Sequence, residues 1–256
     1  MQLIFEFPVN PKYSFDNFVV CSGNRTAFHF AQMVMDGNST DNLLYVYGPP
    51  GSGKTHLLMA ICEGLAARHR ESETAPAGSV PCLSFKNIDD IYRGEYPAEA
   101  VSRLAEKFRE SPALLIDDIH CIPDNANLRV ELWQVFNDFY SAGKKIIVTG
   151  LYPPKELPGL DGHLISRLLW GLVAKVDISD DDSRRMILKK LSADRQVMLP
   201  DDVVDYLLVH VRRDIPSLVE ALETVSRFAL AFKRRITVRL AREALDFHHD
   251  PTHRSS

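Results

Sequence analysis

Short apolar runs alternate with longer stretches of helical spacing through the first two thirds of the chain. The runs at 43–47, 82–85, 113–117, 145–149 and 173–178 are too short for buried helices, and most are bounded by Gly, Pro, Asn or Lys, so they predict strands. Apolar residues at helical spacing between them predict helices over 24–35, 54–70, 98–110, 128–141 and 162–169. This alternation predicts an α/β unit with a parallel sheet covered by helices. The small, polar, proline-bearing stretch 71–80 reads as a surface loop.

The pattern changes after Ile178. Ser179-Asp180-Asp181-Asp182 is a strong helix-start cluster, and the rest reads as helices over 184–195, 201–211, 215–232 and 238–247, with no further strand. Breaks fall at Leu199-Pro200-Asp201 and Arg235-Ile236-Thr237. The expected organisation is an N-terminal peptide at 1–9, an α/β domain at 10–178, a helical domain at 179–247 and a polar tail at 248–256.

Composition narrows the class. The 256 residues are 45% hydrophobic and 25% charged, values of an ordinary globular protein, with length for a large core. No stretch approaches the roughly 18 consecutive apolar residues of a membrane span. The opening Met1 to Phe7 lacks a basic region and carries Glu6 within its apolar run, which argues against a secretory signal. A cytoplasmic location is therefore expected. A formal net charge of -4 disfavours gripping duplex DNA by charge alone. Cys21, Cys62, Cys82 and Cys121 lie far apart without zinc spacing and read as buried, reduced thiols. His248, His249 and His253 read as part of a frayed terminus rather than a metal site.

The sharpest chemical signal is Gly48-Pro49-Pro50-Gly51-Ser52-Gly53-Lys54-Thr55, which fits G-x-x-x-x-G-K-[ST] in full. A predicted strand precedes it and a predicted helix, opening at His56, follows, which is the context the motif requires. Glycines let backbone N–H groups turn inward around phosphate oxygens, and the helix start adds unpaired donors. Lys54 is expected to reach the β- and γ-phosphates and the Thr55 hydroxyl to ligate Mg²⁺. Ala113-Leu114-Leu115-Ile116-Asp117-Asp118 supports this as a buried strand ending in two carboxylates. Asp117 is expected to hold Mg²⁺, and Asp118 to orient or deprotonate an attacking water. The chain is thus expected to bind a nucleoside triphosphate or diphosphate.

Several further segments resemble the AAA+ domain of the DnaA family, including its shorter Hda-like members. Asn10 to Val20 is similar to the segment that opens that domain, and Leu114 to His120 to its Walker B, with His120 where glutamine is usual. Lys144 to Thr149 with Pro153 to Leu157 resembles the sensor I strand and its turn. Ser166 to Leu172 resembles the arginine-finger segment. The resemblance spans about 10–245. It implies an AAA+ P-loop fold, with a five-stranded parallel sheet in order 5-1-4-3-2 and a helical lid, and nucleotide lying between the two. It also implies ATP or ADP as the ligand and a role in regulating replication initiation. The chain ends before a DnaA-type helix-turn-helix domain would fit, so sequence-specific duplex DNA is not expected as a partner and the Hda-like side of the family is favoured.

Two departures bear on catalysis. Leu151 stands where the family places the sensor I aspartate, and leucine offers no hydrogen bond. Pro216 stands where a sensor II arginine is expected, with Arg212 and Arg213 the nearest cations. Slow intrinsic hydrolysis is therefore expected, since one lost transition-state donor costs about 10²- to 10³-fold.

The resemblance makes Arg167 the candidate finger, acting on a neighbour's nucleotide, against the plainer reading of a helix-end ion pair. His163 occupies the place of a second basic residue. The resemblance implies as partners DnaA and, through Gln2 to Phe7, which is loosely similar to the clamp-docking motif of Hda-like members, the DNA-polymerase sliding clamp; the same peptide also reads as a strand of its own domain. Homo-oligomers and single-stranded DNA stay open. Lys233-Arg234-Arg235 with Arg239 and Arg242 reads as a solvated helix face, because no aromatic residues interleave. The leading expectation is a regulator that promotes hydrolysis of DnaA-bound ATP; the alternative is a nucleotide-switched replication adaptor or helicase loader.

Overall fold

The computed structural model describes residues 13–36, 40–71, 80–86, 108 and 111–249. The N-terminal peptide, most of loop 71–80, all of helix 98–110 except Phe108, and the tail beyond His249 lie outside the described residues.

Five strands form one parallel sheet: β1 (Leu43–Tyr47), β2 (Cys82–Ser84), β3 (Ala113–Asp117), β4 (Lys145–Gly150) and β5 (Leu172–Lys175). Their spatial order is β2-β3-β4-β1-β5, the order the resemblance implies. β1 lies between β4 and β5, with Leu43 opposite Ile146 of β4 and Leu44 opposite Leu172 of β5. Both faces of β3 are buried, which is why its sequence runs apolar without alternation until Asp117.

β5 ends three residues before the predicted 178. Val176 N–H still donates to Tyr47 O at 2.7 Å, but β1 stops at Tyr47 and turns away at Gly48. The apolar residues beyond therefore have no strand to pair with.

Around this sheet lie α1 (Arg25–Met35), α2 (Lys54–Glu71), α3 (Ala126–Ser141) and α4 (Gly162–Trp170). Local side chains set the helix starts. The Asn125 side chain accepts from Leu128 N–H at 3.0 Å to open α3, and Asp161 accepts from His163 N–H and Leu164 N–H to open α4. Asn24 leads α1 differently, donating its amide to Val19 O at 2.9 Å. The sheet core includes Leu43, Tyr45, Leu114, Ile116, Phe136 and Val148, all essentially inaccessible.

The helical remainder comprises α5 (Asp181–Asp194), α6 (Asp201–His210), α7 (Ile215–Ala231) and α8 (Val238–His249). Asp180 caps α5 through Ser183 N–H at 2.7 Å, and Asp214 caps α7 through Ser217 N–H at 2.9 Å, with Pro216 in α7's first turn. Asp201 and Asp202 in the first turn of α6 complement its dipole. Helix α8 extends to His249, so His248 and His249 belong to helical backbone and not to the tail expected at 248. The chain divides at 177/178 into a sheet unit and a helical unit, the latter also taking in Cys21–Gly23 and Pro50–Ser52. Among the described residues no helix is long and apolar enough to cross a membrane.

Candidate phosphate-binding site

The site is built at the ends of β1, β3 and β4. β1 runs into Gly48, whose backbone comes so close to Val176 that a Cβ would stand 2.0 Å from the Val176 carbonyl oxygen. Gly53 has φ +97°, a conformation that L side chains rarely adopt. Between them lies the loop Pro49, Pro50, Gly51 and Ser52, and from its end α2 departs, with Leu57 N–H donating to Gly53 O at 3.0 Å. The buried Ser52 Oγ has no hydrogen-bond partner among the described residues.

Lys54, only 6% exposed, curls its ammonium back to donate to Gly48 O and Pro49 O, both at 2.9 Å. Burial lowers its pKa, an effect opposed by the carboxylates of Asp118 and Asp117. Beside it, Thr55 Oγ1 donates to Asp117 Oδ2 at 2.9 Å. The other Asp117 oxygen accepts from the Thr149 hydroxyl. Burial raises the Asp117 pKa, while the two threonine hydroxyls and Lys54 favour its ionised form. Asp118 occupies the left-handed region at φ 53°, and its N–H donates to Thr149 Oγ1 at 3.1 Å. One hydroxyl on β4 thus ties together both residues at the end of β3.

Thr149 was not among the site residues expected from sequence. Its signal was present: a hydroxyl closing the apolar run Ile146-Ile147-Val148, at the strand end where Asp117 closes its own. Leu151 follows, half-buried, in a turn fixed by the Tyr45 hydroxyl, which donates to Tyr152 O at 2.5 Å. Burial pushes the Tyr45 phenol pKa up. His120 stands over this turn, its ring edge-on to Tyr152 and its Nδ1 3.9 Å from Asp118 Oδ1. Burial lowers the His120 pKa. On the α2 side, His56 places Nε2 2.9 Å from Ser14 O, with its ring against Tyr13 and Phe18. These aromatic partners also escaped the sequence reading.

Arg167 is remote from this chain's own phosphate loop in sequence and lies on α4. Its guanidinium sits over the rings of Tyr140 and Trp170, at 4.8 and 4.3 Å from their centroids. The helix-end ion pair considered from sequence does not form: among the described residues no carboxylate pairs with Arg167. His163 packs its ring 5.9 Å from that of Trp133. In the helical unit, the exposed Arg212 pairs with Asp214 at 3.2 Å, Arg213 is exposed, and Pro216 offers no cation. Arg234 and Arg239 both pair with Glu243, which absorbs part of the basic run. No disulfide joins the four cysteines; Cys21, Cys62 and Cys82 are buried and Cys121 is half-buried. No group of three or more His, Cys, Asp or Glu able to hold a metal occurs among the described residues.

A family model described as the bacterial DnaA ATPase domain matches residues 9–175. The chain belongs to the bacterial DnaA ATPase-domain family. A second model, the lid domain of Hda, matches residues 181–245, which take in α5, α6, α7 and most of α8. The chromosomal replication initiator DnaA of Enterococcus faecalis is 33% identical over 239 residues, covering 93% of this chain and 52% of that protein. The chain thus spans about half the length of the curated relatives it matches. Domain III of Thermotoga maritima DnaA superposes with a TM-score of 0.77 at 27% identity, covering 95% of this chain and 100% of that one. AMPPCP-bound DnaA from Aquifex aeolicus gives a TM-score of 0.70 at 25% identity, with coverage of 86% and 66%. The fold is that of AAA+ proteins.

Proposed function

We propose that the chain binds an adenine nucleotide, ATP or ADP, and acts in regulating initiation of chromosomal replication by promoting hydrolysis of DnaA-bound ATP. The observation that carries the nucleotide reading is the arrangement of buried Lys54, Asp117 and Thr149 with the half-buried Thr55 at a glycine-rich turn. A buried ammonium that now satisfies itself on two loop carbonyls is poised to exchange them for phosphate oxygens. The buried Ser52 hydroxyl and the backbone donors of 48–56, through His56 at the helix start, complete a cradle for an anion. The AMPPCP-bound DnaA relative supports adenine as the base.

The Thr55 hydroxyl and the Asp117 carboxylate are adjacent hard oxygen donors, the set that suits Mg²⁺ beside substrate phosphates. They would hold it, and it would neutralise charge on the β- and γ-phosphates. Asp118 would orient the attacking water. With Leu151 and Pro216 at the two sensor places, this chain's own turnover would be slow.

Arg167 carries the activity toward a partner. A finger supplied by a neighbouring subunit contributes about 10³ to 10⁵ in rate. Contact with the sliding clamp through Gln2 to Phe7 would bring this chain to replicating DNA. The test is hydrolysis of DnaA-bound ATP with added protein, clamp and DNA. Wild type is expected to accelerate it and Arg167→Ala to abolish the acceleration while still binding nucleotide. Full acceleration by the alanine variant would remove the finger assignment. A protein that binds the clamp but leaves DnaA-bound ATP untouched would favour the adaptor reading.

A further inference from the structure

Arg167 is held in a way that family resemblance did not suggest. Its side chain leaves the last turn of α4, and its guanidinium contacts two aromatic faces. Trp170 comes from the same helix, three residues on, and Tyr140 from the end of α3, where their rings lie 6.0 Å apart at 56°. Trp170 is 61% exposed and the neighbouring Leu169 is 41% exposed, so this corner faces outward.

Three physical points follow. A long arginine side chain free in solvent samples many rotamers, and fixing it on binding opposes association. Stacking on indole and phenol removes that freedom in advance, and it does so without neutralising the charge as a carboxylate would. Arg167 has no carboxylate partner among the described residues, so its cation stays available to an external polyanion.

We propose that Tyr140 and Trp170 form an aromatic rest that presents Arg167, making them positioning residues for its action on a polyphosphate bound to a partner AAA+ domain. This rests on the reading of Arg167 given above. The π faces are what matter: an apolar replacement of similar bulk keeps the packing and loses the rest. Leu169 and Trp170 then meet the partner as apolar surface around a desolvated cation, where a cation–π contact is at its strongest.

The experiment uses the full chain with ATP-loaded DnaA, clamp and DNA, and separates maximal stimulated rate from half-saturating concentration. Trp170→Phe is expected to stay within about threefold of wild type, whereas Trp170→Leu lowers the maximal rate about tenfold and moves half-saturation less than about threefold. Tyr140→Leu is expected to act in the same direction, with Tyr140→Phe near wild type. A wild-type maximal rate in Trp170→Leu, or equal damage from Trp170→Phe, would overturn the proposal even with Arg167→Ala inactive. Full stimulation by Arg167→Ala would instead remove the underlying reading. The contact itself has its own readout. The chain has two tryptophans, so in a Trp133→Phe background the emission of Trp170 should change on Arg167→Ala; unchanged emission would overturn the stack independently of any activity.

Discussion

The sheet unit and the helical unit treat polar groups in opposite ways. In the sheet unit Lys54 and Asp117 are buried at strand ends, supported by Gly48 O, Pro49 O and the hydroxyls of Thr55 and Thr149. In the helical unit the cores are made of residues such as Val203, Leu207, Val225, Leu240, Leu188 and Leu222. Its charges sit outside, in pairs such as Arg185 with Asp205, Lys189 with Asp201 and Arg195 with Glu223. The one buried charge among its described residues, Arg184, pairs three residues back with Asp181 at 2.6 Å.

Burying a charge is costly unless it is paired and hydrogen-bonded, whereas surface pairs contribute little. The contrast therefore marks where the fold sacrifices stability for chemistry. Of the three buried charges among the described residues, Lys54 and Asp117 lie at the phosphate loop, and the third, Arg184 in the helical unit, is held by its ion pair with Asp181.

Variants on each side sharpen the contrast. The largest effect is expected in the helical core, where Leu207→Ala leaves a cavity at a fully buried site and lowers stability by about 2–5 kcal/mol in denaturant unfolding. Next comes Thr149→Val, nearly isosteric, which strands the Asp118 N–H and removes a donor from Asp117. A loss of about 1–3 kcal/mol is expected by the same measurement, and a neutral result would mean that this hydroxyl is dispensable.

The smallest effect is expected at the α7 cap, where Asp214→Ala removes the bond from Ser217 N–H and costs about 0.5–2 kcal/mol at neutral pH. That bond and Ser217's hydroxyl hold the Asp214 pKa down. The contribution is therefore full above the ordinary aspartate value and lost as pH falls through the lowered one, so wild type and Asp214→Ala should converge in acid. A gap that persisted well below the aspartate range would refute the cap's share.

What could be read in the sequence was what neighbours along the chain decide. The phosphate loop, the apolar strands and the helix start at Ser179 to Asp182 are local patterns, and Asp180 caps α5 as that cluster suggests. The sheet order came only from the family resemblance. The overlong β5 came from apolar residues whose pairing depends on where β1 stops, which the run at 173–178 does not encode. Thr149 was missed because its partners Asp117 and Asp118 lie at and just beyond the end of another strand. Likewise, the aromatic support of Arg167 joins Tyr140 to a helix beginning more than a turn's length of sequence away, beyond any periodicity. His56 against Tyr13 and Phe18 is another pairing across distant segments.

The central claim is that the loop at 48–55 closes on the phosphates of a nucleotide with Lys54 as its cation. Titration calorimetry of the full chain with ATP and magnesium, run beside Lys54→Ala, tests it most directly. Saturable heat is expected from wild type and binding at least about 100-fold weaker from the variant, given the strength of charge-assisted bonds to phosphate. No heat from wild type, or equal affinity in the two proteins, would contradict it.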